Sequence, residues 1–160
     1  MRTFPVEVGP VRPSQVRLRI LEDHARLRSL FAELDDVARR VLEGESELAF
    51  RLRVLAEALR ECFLSHLDLE DAVLVPAVRR ADAGGPERAE RVAREHREQR
   101  HLFQHLLGEL SDPERPVEKL ASDLRSLVQE LYRDMSQEEE SILDEDLLRD
   151  DVVGIDVEAG

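Results

Sequence analysis

At 160 residues the chain suits one domain with a single core, and 42% hydrophobic against 4% aromatic residues favours long amphipathic helices over sheets. A formal net charge of −13 repels phosphate backbones and anionic lipid surfaces, which argues against nucleic acid and membranes as partners. Cys62 is the only cysteine, so no intramolecular disulfide framework exists, and the N-terminus has no apolar run suited to a signal peptide or span, which points to the cytoplasm.

Residues 1–13, with Pro5, Pro10 and Pro13, read as an extended arm. Ser14 is placed to cap a first helix over 14–43. In it Ile20, His24, Leu27, Phe31, Leu34, Ala38 and Val41 recur at steps of four and three, the stripe of a bundle helix, and Gly44 is a natural stop. Ser46 can cap a second helix over 46–80, whose stripe holds Leu48, Leu52, Leu55, Leu59, Cys62, His66, Leu69 with Glu70, Val73 and Ala77. Cys62 on that stripe reads as a buried thiol, and Pro76 is expected to kink or end the helix.

Gly84 and Gly85 break the chain, and Pro86 suits the first turn of a third helix over 86–110 carrying Val92, His96, Gln99, Phe103, Leu106 and Leu110. His101 and His105 are four apart but sit about 140° around that helix from His96, so they read as surface residues. A fourth helix over 116–149 carries Leu120, Leu124, Leu127, Leu131, Met135, Glu139 and Ile142, and residues 150–160 read as a mobile acidic tail. Four helices joined by short loops make an all-α, up-down-up-down four-helix bundle over 14–149. Its halves echo one another: HARLRSLFAEL from His24 aligns with HREQRHLFQHL from His96, and HLDLEDAVL from His66 with MSQEEESIL from Met135.

His24, His66, Glu70, His96 and Glu139 occupy stripe positions where burial is expected. A lone histidine there is ordinarily a hydrogen-bonded core residue, whereas a buried carboxylate without a partner costs several kcal/mol. His66 and Glu70 are four apart on one face. His24 lies 20 residues before Gly44 and His66 lies 22 after it, so at about 1.5 Å per residue the two stand at one level. Glu70 and His96 stand 14 before and 12 after Gly84, again nearly level. A metal ion would supply the positive charge these groups need, and imidazole with carboxylate is a donor set that iron, zinc and manganese accept.

With those residues in place, the chain resembles the hemerythrin-like, or HHE cation-binding, domain family across most of residues 14–149. The resemblance is carried by His24 in EDHARLRSLF, His66 and Glu70 in HLDLEDAVLVP, His96 in EHREQRHLF and Glu139 in EEESIL. It implies a non-haem diiron centre in which Glu70 and Glu139 bridge, His24 and His66 serve one iron, and His96 serves the other. The family pattern places a histidine where this chain has Met135, and some members carry a further one where it has Arg100. One iron is then well supplied with nitrogen and the other is not, so the expectation is one or two iron ions in an incomplete diiron site. The function implied is binding or sensing of a diatomic such as oxygen or nitric oxide, or iron handling. An enzyme reducing peroxide or nitric oxide, and a metal-free helical interaction module with a decayed ligand set, are the alternatives.

Overall fold

The structure, a computed structural model, describes residues 11–110 and 112–151, with residues 107 and 110 described in backbone only. Most of the expected N-terminal arm and residues 152–160 lie outside the described residues. The elements are α1 (Pro13–Leu42), a 3-10 turn (Ser46–Leu48), α2 (Ala49–Leu69), a π turn (Glu70–Leu74), α3 (Val75–Ala81), α4 (Gly85–Leu110) and α5 (Val117–Ser141). Since α2, the π turn and α3 run on without a break, four helical arms form the expected bundle, with no strand among the described residues. None of these helices is long and apolar enough to cross a membrane.

Local chemistry explains where the arms begin and end. Pro13 opens α1 at the position where its missing N–H is harmless. Ser14, expected to be the cap, lies within the first turn, and its N–H and hydroxyl donate to the Asp150 carboxylate at 2.9 and 2.7 Å. The free donors at this helix end are thus met from the other end of the chain. At the far end of α1, Gly44 has φ +106°, the left-handed conformation that terminates helices. The Gly44 and Glu45 N–H groups then close on the carbonyls of Val41 and Arg40.

Ser46 begins a 3-10 turn and does not cap α2, whose N-cap position is Leu48. Pro76 does not end the second arm. A proline ring would press on the carbonyl four residues back, and just upstream the helix widens into the π turn, where the Val75 N–H reaches Glu70. The helix then continues to Ala81. At the turn into α4, a Cβ on Gly85 would lie 2.5 Å from the carbonyl oxygens of Val78 and Arg79, so only glycine permits the approach. The fourth helix stops at Ser141 rather than running to 149, and the following segment folds back over the start of α1. There Leu143 and Leu148 are buried, and Arg17 Nε donates to the Leu143 carbonyl at 2.6 Å.

The core is divided. One apolar cluster, from Leu27, Phe31 and Leu34 through Leu59, Phe63 and Phe103 to Leu131 and Met135, fills the long part of the bundle. A second, with Val16, Ile20, Leu74, Val78, Val92 and Leu143, fills the end that holds α3. Phe63 stacks on Phe103 with ring centroids 4.6 Å apart. Phe63 takes the inward position assigned from sequence to Cys62, which is exposed. His101 and His105 are exposed, as expected.

Candidate metal centre

Between the two apolar clusters lies a polar layer. In α1, His24 falls between Ile20 and Leu27. His66 and Glu70 fall between Phe63 and Leu74, and His96 lies between Val92 and Phe103. Each is almost sealed from solvent: His24 is 0%, His66 3%, Glu70 1% and His96 3% exposed. The stripes that build the core therefore also carry these four groups to one level.

Glu70 is the hub. Its Oε1 stands 2.7 Å from His66 Nε2 and 3.4 Å from His24 Nε2, while its Oε2 stands 2.9 Å from His96 Nε2. Three imidazoles from three helical arms thus present the same ring nitrogen to the two oxygens of one carboxylate. The His24 and His66 rings are 4.9 Å apart between centroids. The π turn that begins at Glu70 is part of the local design, since it resets the helix phase directly after the hub.

The outward nitrogens follow a second rule. His66 Nδ1 is 2.6 Å from Asp23, His96 Nδ1 is 2.6 Å from Asp71, and His24 Nδ1 is 2.9 Å from Glu139. An ionised carboxylate only accepts, so each contact places a proton on Nδ1 and leaves Nε2 facing inward as the nitrogen that can bind a metal once its own proton is lost. Such outer carboxylates orient histidines that bind metals.

Four of the five ligands expected from sequence, His24, His66, Glu70 and His96, are brought together. Glu139 is not in the inward set. It accepts two bonds from Arg28, at 2.6 and 3.0 Å, and lies behind His24. The inward position on α5 belongs to Glu138, whose Oε1 is 3.4 Å from His24 Nε2. The α5 stripe steps from Met135 by three, not four, before reaching Leu143 in the second cluster. An alternating three-and-four pattern admits either step, so the sequence EEE at 138–140 does not by itself select one. Asp23 went unnoticed in the sequence because one acid beside a histidine carries no spacing signal. Met135 is buried in the longer apolar cluster, 4% exposed.

Electrostatics set the protonation of the metal-free layer. Burial opposes charge on His24, but the carboxylates of Glu138, Glu70 and Glu139 outweigh it and push the pKa up to about 10. His66 and His96 are also raised: burial opposes the charge, and Glu70 with Asp23 or Asp71 overcomes it. Burial raises the Glu138 pKa to about 7, with the nearby Glu70 charge acting in the same direction. Glu70, despite its burial, is held well below the ordinary carboxyl range by the three histidines.

The donor chemistry fits a metal ion. One ligand atom each from His24, His66, Glu70 and Glu138 lie within 4.8 Å of one another. The buried Glu138 Oε1 has no hydrogen-bond partner, and His24 Nε2 lies 3.4 Å from it. In the metal-free layer protons on the histidines occupy the place of positive charge that a cation would take. A cleft of about 610 Å³ between α4 and α5 reaches this layer, with His96, Gln99, Asp134 and Glu138 along it.

No curated protein and no solved structure shows significant similarity to the chain. The family model described as hemerythrin HHE cation binding domain matches residues 18–145, a span that includes every residue of the polar layer. A buried histidine and carboxylate layer inside a four-helix bundle, matched over four-fifths of the sequence, places this chain in the hemerythrin HHE cation-binding domain family.

Proposed function

We propose that the chain is a non-haem iron protein that binds or senses a diatomic ligand, oxygen or nitric oxide, or handles iron. The observation that carries this reading is the convergence of three Nε2 atoms on the two oxygens of Glu70, beside a buried Glu138 oxygen with no partner. His24, His66, Glu70 and Glu138 would hold one ion. His96, on the other Glu70 oxygen, would serve a second with fewer protein donors, so the pair is asymmetric. Iron held there supplies one-electron redox chemistry and affinity for small diatomics.

The chain's own residues divide the remaining work. Asp23, Asp71 and Glu139 keep the histidine protons on Nδ1. The two apolar clusters exclude water from above and below the layer, which strengthens every charge interaction inside it. The cleft between α4 and α5 admits small molecules on the His96 and Glu138 side.

Metal analysis of anaerobically purified protein, with its absorption spectrum in oxidised and reduced forms, tests the reading. Between one and two irons per chain, with a spectrum that responds to oxygen or nitric oxide, is the expected result. A chain that carries no metal and takes none up would leave a helical interaction module as the function. Turnover of peroxide or nitric oxide by the loaded protein would make it an enzyme.

A further inference from the structure

Each outward carboxylate has its own surroundings, and these differ in a regular way. Glu139, behind His24, is gripped by both terminal nitrogens of Arg28, whose side chain is 33% exposed. Asp71, behind His96, meets Arg100 Nη2 at 2.6 Å, and the same nitrogen donates to Asp68 at 3.0 Å. Arg100 is 26% exposed. Asp23, behind His66, has only Arg26 at 4.0 Å, and that side chain is 77% exposed. Two histidines therefore sit at the inner end of an arginine–carboxylate–imidazole chain, and the third does not.

We propose that Arg28 and Arg100 are positioning residues of the metal centre, fixing through Glu139 and Asp71 the rings and Nδ1 protons of His24 and His96. This rests on the metal-binding reading above. A carboxylate with one oxygen on a histidine has free torsions that let it swing away, and a second, charged partner removes that freedom. Arg28 is further fixed at its own backbone, where Tyr132 donates its hydroxyl to the Arg28 carbonyl at 3.1 Å. The Tyr132 ring packs edge-on against Phe31. Arg100 serves the centre from outside, holding the carboxylate that orients His96. His66 has no such clamp, its Nδ1 resting on Asp23 at 2.6 Å with Arg26 no nearer than 4.0 Å to that carboxylate.

The test is the hydrogen exchange of the three Nδ1–H protons in the zinc-loaded chain, read by nitrogen-labelled NMR. Arg28→Gln should speed exchange at His24 alone and Arg100→Gln at His96 alone. The factor should be about tenfold or more, as loss of a charge-assisted hydrogen bond gives. Arg26→Gln should leave all three protons at wild-type rates. Arg28→Lys, which keeps the charge but cannot hold both Glu139 oxygens, should fall between wild type and Arg28→Gln and covers the case of a variant that does not fold. Unchanged exchange at His24 and His96, or equal acceleration at all three histidines, would overturn the proposal while leaving metal binding intact. A wild type that takes up no zinc or iron would overturn both readings together.

Discussion

Removing the Glu70 side chain leaves three imidazole nitrogens facing one another in a buried layer with no shared acceptor. Glu70→Ala, or His66→Ala, should therefore lower iron content and abolish most of the thermal stabilisation that iron confers, measured by metal analysis and melting with and without iron. The neighbouring acids on α5 should behave oppositely in the metal-free chain. Glu138 is half-buried with one sealed, unpartnered oxygen, so at pH 8, above its pKa of about 7, Glu138→Gln should raise the metal-free melting temperature. Glu139→Gln should lower it, since a two-pronged bond to Arg28 is lost. Equal signs for the two would show that their roles have been misassigned. Met135 is buried one turn before Glu138, at the position where the resemblance to the family implies a histidine. Met135→His should raise iron per chain above wild type by adding a nitrogen donor, and an unchanged ratio would mean that the second position is already filled. Three histidines were legible in the sequence because a polar residue on an apolar stripe stands out. Glu138 was not, because three consecutive glutamates follow Met135 and a stripe can step by three or four. Asp23 was hidden among 36 acidic residues until the fold showed that it reaches a ring nitrogen.

At the scale of elements, the apolar stripes were enough to give four arms and nearly all their bounds. What they did not give was the π turn at Glu70–Leu74, because one extra residue in a helical turn leaves the composition unchanged. Its only sequence trace is Pro76, which reads equally well as a kink or an end. The turn, with Glu70 as its first residue, lets α2 present His66 to the polar layer while α3 presents Val75 and Val78 to the second cluster. Inserting an alanine between Leu74 and Val75 should turn α3 by about 100° against α4 and keep Glu70 in phase with His66. Each buried valine moved towards solvent then forfeits roughly 1.5–3 kcal/mol. The expected outcome is a lower melting temperature with metal uptake largely retained in the cold. Loss of uptake with no change in melting would show that the turn acts on the ligands instead. The caps were similarly illegible: Ser14 and Ser46 have the right chemistry, but Ser14 was drawn to a carboxylate 136 residues away that local sequence could not reveal.

For the whole molecule, the raised histidine pKa values fix the sign of the pH dependence. A histidine that binds its proton more tightly in the folded chain stabilises it fully below the ordinary value of 6.5, and for His24 this is lost as pH rises through about 10. Glu138 acts in the same direction, adding a penalty that grows as pH rises from 4.5 through about 7. The metal-free chain should thus weaken from pH 6 to pH 9. Metal binding must displace the histidine protons, so affinity should increase over the same range. The gap in melting temperature between loaded and metal-free protein should widen with pH, and titration calorimetry in buffers of different ionisation enthalpy should show proton release. A constant gap and no release would contradict this account of the metal-free layer.

The bond from Ser14 to Asp150 makes the described chain nearly a closed ring, since the first turn of α1 and residue 150 meet at one end of the bundle. A ring has no privileged starting point. A short linker from Asp151 to Val11, with new ends opened at Gly44, should give a circular permutant that folds, because Gly44 has open space around its Cα and none of the metal-layer residues lies near it in the chain. Wild-type metal content in such a permutant would show that the order in which the arms are synthesised does not matter to the centre. Soluble but metal-free permutant would show that the contact between the chain's two ends must be free to open for the ion to enter.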